Sequence, residues 1–192
     1  MDKGPDLRAM KKARDFLAGK IIKTPVLELS STKIKDLLPL EANVRMKLEL
    51  FQQTGSFKSR GALLALSNLT KSQKEKGVIA VSAGNHALAV SWAAMCAKTN
   101  AKVVMLESSD PVRIDGCRNF GAEVILSPDV GSAFSLVEEI AKSEGRAILK
   151  PFDSEEMILG SASCGLEIIE DFPELEVAIV PVGGGGLLSG IA

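Results

Sequence analysis

Residues 78–97 read VIAVSAGNHALAVSWAAMCA: a short β-branched run, a loop of small polar residues, then a stretch apolar on nearly every side. An apolar run of four or five residues without alternation suits a strand covered on both faces. A helix that is apolar all round belongs inside a layer, not on a surface. Strand, tight loop and buried helix in succession predict a parallel α/β unit.

Outward from this unit the alternation repeats. VRMKLEL (44–50), KVVMLE (102–107), AEVILS (122–127), AILK (147–150) and VAIVPV (177–182) predict further strands. Between them Ala62, Ala65, Leu66 and Leu69, and again Ala133, Leu136, Val137, Ile140 and Ala141, recur at helical spacing. The pattern predicts a mostly parallel sheet with helices on both faces. Pro151, after the fifth run, marks a crossing between subdomains.

Composition narrows the function. The chain has 192 residues, with Lys plus Arg at 23 nearly cancelling Asp plus Glu at 24, so no net field exists to hold nucleic acid. One Trp and no Tyr leave few platforms for base stacking. No apolar run approaches the roughly 20 residues of a membrane helix, and the charged start MDKGPDLRAMKKAR is unlike a signal peptide. A cytoplasmic protein with no nucleic-acid or membrane partner is expected. Cys96, Cys117 and Cys164 form no CxxC pair, and His86 is the lone histidine, so imidazole triads and metal centres are not expected.

Three segments carry chemistry. Gly183, Gly184, Gly185 and Gly186 lie between an expected strand and a helix start, where bare backbone N–H groups can approach a phosphate; a flexible turn is the alternative. The spacing lacks the third glycine of a dinucleotide fingerprint, and no GK[ST] triplet follows. In GSFKSRGA (55–62), Ser56 is the expected N-cap of a helix, which puts Lys58 in the first turn, at the positive end of the dipole. There its pKa falls, giving a free amine for a Schiff base, unless it is an ordinary solvated lysine. SAGNHA (82–87) opens the buried helix with N–H groups able to take a carboxylate, and with the Asn85 amide able to meet a ring hydroxyl; an ordinary helix cap is the alternative.

Together GSFKSRGA, SAGNHA and VPVGGGGLLSGIA (180–192), with KTPVLELS (23–30) and GLEIIED (165–171), resemble fold type II pyridoxal-phosphate enzymes, in the group of serine/threonine dehydratases and serine racemases. The resemblance implies two open twisted, mostly parallel sheets flanked by helices. It also implies a large cofactor domain from 1–58 and 150–192 and a small domain from 59–149. It implies pyridoxal 5'-phosphate joined to Lys58 as a Schiff base, beside Phe57. Asn85 would meet the cofactor 3-oxygen and Gly183, Gly184, Gly185, Gly186 and Leu187 its phosphate. Ser82, Ala83, Gly84, Asn85 and His86 would surround the substrate carboxylate. The implied reaction converts L-threonine or L-serine to a 2-oxo acid and ammonia, in a homodimer.

Racemases of the group carry a serine where this sequence has Ala83, which favours elimination over racemisation. Leu88 stands where glutamine is common, and Gly160-Ser161-Ala162-Ser163 replaces Gly-Gln-Gly-Thr, which bears on substrate choice. The six residues after the tetrad are too few for a stable helix without help, so the large domain is expected to be incomplete. A chain that binds cofactor weakly or not catalytically is the accompanying alternative.

Overall fold

The computed structural model describes residues 4–29, 36 and 42–192. Ser30 of KTPVLELS, and residues 1–3, 30–35 and 37–41 of the expected large domain, lie outside the described residues. Helix α1 (Leu7–Leu17) leads to an antiparallel pair, β1 (Val26–Glu28) with β2 (Arg45–Lys47). Two 3-10 turns follow, then α2 (Lys58–Asn68) and α3 (Lys71–Lys76). Next come β3 (Val78–Val81), α4 (Asn85–Cys96), β4 (Ala101–Leu106), α5 (Pro111–Asn119), β5 (Glu123–Ser127), α6 (Val130–Glu144) and β6 (Ala147–Ile148). Helices α7 (Glu155–Asp171) and α8 (Gly186–Ile191) complete the order.

Strands β5-β4-β3-β6 form one parallel sheet. Alternation along the strands sorts two cores. Val78, Ala80, Val103 and Met105 lie on the α4 side, in one core with the apolar residues of α2, whereas Ile79 and Val104 pack with Ala133 and Val137 of α6. The run from 78 to 81 is apolar throughout because both of its faces are covered. Since the chain leaves β3 toward the α4 face and reaches β6 from the α6 face, the C-terminal ends of β3 and β6 flank a topological switch point. Open α/β sheets bind ligands outside such a point.

The sequence expectation fails at residues 177–182. The segment has no assigned regular structure and joins no ladder among the described residues, with Val177 74% and Ile179 96% exposed. A strand is stable only beside a neighbour that takes its N–H and C=O groups, and none of the described strands lies alongside. The second sheet is accordingly seen as the two-stranded antiparallel pair β1-β2.

What positions the site is the crossing of α2 and α7. A Cβ on Gly160 would sit 2.3 Å from Gly61 N, and one on Gly61 would sit 2.8 Å from Met157 Cα, so the two backbones touch only because both residues are glycine. Beside the crossing, the fully buried Arg60 donates all five of its N–H groups: to Glu49 (2.8 and 2.8 Å), Glu167 (2.7 and 3.0 Å) and Ser163 Oγ (3.0 Å). Lys47 adds 2.8 Å contacts to Glu167 and to the Thr24 carbonyl, and Thr24 Oγ1 donates to Glu49 at 2.5 Å. The KTP and GLEIIED segments are thus tied to GSFKSRGA by charge. Ser161, Ala162 and Gly165 lie on the part of α7 that meets α8, where Gly190 has room for no Cβ against Ile158 and Ser161. The Gly160-Ser161-Ala162-Ser163 departure is therefore buried packing between helices. Leu88 packs on Gly116 of α5.

Two substitutions test this scaffold. Arg60→Met should cost about 3–5 kcal/mol in urea denaturation, because it strands the Glu49 and Glu167 carboxylates. Gly160→Ala should lower stability by about 1–3 kcal/mol or more, because backbone rather than a side-chain tip must move.

Candidate active site

Helix starts fall into two groups. α1, α3, α5, α6 and α7 begin with a side-chain cap from Asp6, Thr70, Asp110, Asp129 and Ser154. α2, α4 and α8, which open at GSFKSRGA, SAGNHA and the glycine tetrad, have no side-chain cap bond. In α2 and α4 the third N–H closes back on the cap residue, Arg60 N on the Phe57 carbonyl and Ala87 N on the Gly84 carbonyl, both at 3.1 Å, and the N–H groups before it have no partner within the helix. The three segments singled out by sequence are the ones left open to an external acceptor.

In the first segment Lys58 is the opening residue of α2, as expected, but Ser56 is not its cap. Phe57 holds that place, with helical φ −58° and ψ −16°, while Ser56 is extended and its buried hydroxyl lacks a partner. The approach is tightly turned, with Thr54 and Gly55 both at positive φ (63° and 73°). Lys58 Nζ donates to the Pro151 carbonyl and lies 4.9 Å from the centre of the Phe57 ring. Burial lowers the Lys58 pKa from its ordinary value.

In the second segment Gly84 N donates to Ser82 Oγ at 3.1 Å, shaping the turn after β3. Ala83 and Asn85 are exposed. The His86 ring is turned inward, its Nε2 donating to the Leu149 carbonyl at 2.9 Å, and its buried Nδ1 has no partner. Only its backbone N–H stays on the loop. Burial, together with the nearby Lys58 charge, pushes the His86 pKa down to about 4 against the pull of the Leu149 carbonyl, so the ring is neutral at pH 7.

In the third segment Gly185 sits at φ +85°, a conformation that favours glycine. Cβ atoms on Gly184 and Gly186 would overlap the Phe152 ring and its carbonyl, at 2.1 and 2.4 Å. Leu187 is half-buried in the first turn of α8. That six-residue helix forms through its close packing on α7.

One strip of chain joins the three. Leu149 meets His86 of the second segment, Pro151 meets Lys58 of the first, and Phe152 meets the tetrad. This strip follows β6, and SAGNHA follows β3, so the meeting point is the switch point of the sheet. The strip thereby touches the amine of lowered pKa, the histidine next to the exposed Asn85, and the glycine tetrad. Two surface concavities, of about 410 and 540 Å³, are lined by Lys23, Thr24, Pro25, Val26 and Asp171 and by residues including Phe16, Lys74 and Trp92, away from the three segments.

The family model described as "Pyridoxal-phosphate dependent enzyme" matches residues 17–192. The chain belongs to this family. Among curated relatives, phenylserine dehydratase of Ralstonia pickettii is 41% identical over 98% of this chain and 56% of its own length. The catabolic L-threonine dehydratase of Escherichia coli K12 is 40% identical over 94% and 54%. Among solved structures, maize serine racemase superposes with a TM-score of 0.91 at 31% identity, covering 99% of this chain and 57% of that one. Threonine deaminase isoform 2 of Solanum lycopersicum gives 0.85 at 33% identity, over 100% and 53%. The chain spans about half the length of the curated relatives it matches. These likenesses carry the α/β fold with its helix-flanked parallel sheet.

The residues present fit the family's cofactor. The glycine cradle has no room for a Cβ at Gly184 or Gly186, and Lys58 is the amine that faces the strip beside it. Two residues at the site carried no signal in the sequence. Phe152, against the tetrad, follows a proline that marked only a crossing. Arg113 of α5, whose Nη1 donates to Asn85 Oδ1 at 2.8 Å, lies 28 positions downstream of its partner.

The buried histidine gives a prediction. The unfolded chain takes up a proton near pH 6.5 and the folded chain near 4, so stability is full above about 6.5 and falls as the pH drops toward 4, by about 3 kcal/mol for this group. Urea midpoints between pH 7 and 4.5 should fall less steeply for His86→Gln, which keeps a donor for Leu149 but does not titrate.

Proposed function

We propose that the whole protein is a pyridoxal-phosphate-dependent ammonia-lyase that converts L-threonine or L-serine to a 2-oxo acid and ammonia, with Lys58 as the residue that forms the Schiff base. The observation that carries the reading is the convergence of Lys58, the SAGNHA loop and the glycine tetrad on residues 149–152. The named dehydratase relatives, at 40–41% identity, support elimination as the reaction class.

Gly183 to Gly186 and the first turn of α8, with Leu187, would hold the cofactor phosphate through backbone N–H groups. Asn85 would donate its amide to the ring oxygen, with Phe57 beside it. When bound, pyridoxal phosphate supplies an electron sink for the charge left at the substrate Cα. Backbone N–H groups of residues 82–86 would orient the substrate carboxylate. Lys58, released as a free amine, would take the Cα proton on Nζ, its lowered pKa keeping a larger neutral fraction than an exposed lysine has. The Cα proton and the β-hydroxyl leave together as water, and the enamine left behind, once free, takes up water to give ammonia and the 2-oxo acid. His86 is neutral and occupied with Leu149, so it is not assigned as the proton donor. Ala83 has no proton to carry, which supports elimination over racemisation at the face opposite Lys58.

The proposal includes two lobes closing over the substrate to exclude water, a homodimeric assembly and a cytoplasmic setting. The proposal keeps a large lobe of 1–58 and 150–192 and a small lobe of 59–149, with α2 packed on both α7 and α4 and tied to the large lobe by Arg60. No helix among the described residues is long and apolar enough to cross a membrane.

Borohydride reduction in the presence of pyridoxal phosphate should label the peptide containing Lys58, and Lys58→Ala should lose both the label and the near-visible absorbance band. Labelling of a different lysine would overturn the assignment. The reaction itself is checked by 2-oxo acid release from L-threonine and L-serine by the whole protein. Appreciable D-serine formed from L-serine would favour a racemase instead.

A further inference from the structure

An asparagine that must donate to a cofactor oxygen faces a problem of orientation. Its amide carries an oxygen and an NH2 group of nearly equal size, and a half-turn about the last bond exchanges them. In this chain the exchange is blocked from the far side. Arg113, on α5, brings Nη1 to 2.8 Å from Asn85 Oδ1. A guanidinium has donors and no acceptor, so the amide group that faces it must be the oxygen, and Nδ2 is turned the other way.

Gly84 makes the approach possible. A Cβ there would stand 2.8 Å from Arg113 Nη1 and would push the guanidinium off the loop. The glycine of SAGNHA therefore does two things: its N–H shapes the turn through Ser82, and its missing side chain admits the arginine. Arg113 is held at its own end by a well-formed helix start, with Asp110 accepting from Val112 N at 2.9 Å and Pro111 in the first turn.

We infer that Arg113 is a positioning residue that fixes the Asn85 amide with its NH2 toward the cofactor. The inference rests on the reading that Asn85 meets the cofactor ring oxygen, and it adds a residue on a different helix to that site. Arg113 acts on the cofactor through Asn85 and not by touching it.

The test uses the whole protein, with pyridoxal phosphate titrated by absorbance. Arg113→Met should weaken binding about tenfold, the scale of a lost charge-assisted hydrogen bond. Arg113→Lys, which keeps a donor on a similar stem, should recover most of the loss. In an Asn85→Ala background, Arg113→Met should have no further effect. In the cofactor-free chain, the side-chain NH2 resonances of Asn85 should move in Arg113→Met and stay near their original positions in Arg113→Lys. Equal affinity of wild type and Arg113→Met overturns the inference, as does a loss that persists without Asn85, which would mean that the charge acts directly on the ligand. If the wild-type whole protein forms no absorbance band with pyridoxal phosphate, the reading of the site fails, and the inference fails with it. A band that forms alike in wild type and Arg113→Met sinks the inference alone.

Discussion

The Arg60 guanidinium is fully buried, and its five N–H groups are divided among Glu49, Glu167 and Ser163. Burial alone would press its pKa down, yet the hydrogen bonds and charges of the two glutamates outweigh that effect and hold it above its ordinary value. Such a cluster adds little net stability over an apolar substitute, because desolvating the charges offsets most of their attraction. What it supplies is registry. A planar fork with fixed donor directions accepts two carboxylates in one arrangement only, and lysine could not reproduce it. The start of α2, the turn at Glu49 and the middle of α7 are fixed relative to one another, and Lys58 stands two residues from the fork.

The chemistry at the switch point inherits that registry. Lys58 could reach many acceptors from the first turn of a mobile helix. Held by Arg60 and by the Gly61–Gly160 contact, its amine meets the strip after β6, where His86 and the glycine tetrad also arrive. The same strip carries Pro151, whose missing N–H costs nothing at the end of a strand. Scaffold helices close their N-termini with Asp, Ser or Thr, whereas the three that face the site leave theirs open. Local stability is given up at the positions where a ligand would supply the missing acceptors.

Much of this was legible in the residues, and the limits have physical causes. Strands β3, β4 and β5 and the buried helix α4 followed from apolar runs and their spacing, because burial on both faces erases alternation. The SAGNHA loop was picked out as small residues placed after a strand, whereas Lys58 and the tetrad were picked out by an expected helix cap and an expected strand that the structure does not show. The Ser56 cap was misread because capping depends on where a hydroxyl points, and here it points into the protein without a partner. The strand at 177–182 was misread because hydrophobic pattern reports what a segment could bury and not whether a neighbour is present. Arg60 and Arg113 were invisible as a pair of anchors, since their partners lie in distant parts of the chain and charge pairing leaves no period.

The bare segment at 177–182 has a consequence for handling the polypeptide. Ile179 is almost wholly exposed, flanked by Val177 and Val182, in a segment that joins no ladder among the described residues. An exposed apolar segment rich in β-branched residues is adhesive, because it can pair with strands of other molecules. Pro181 interrupts the run and acts as a gatekeeper at one end. In the 192-residue polypeptide, these six residues therefore join the other exposed apolar side chains in favouring self-association at high concentration.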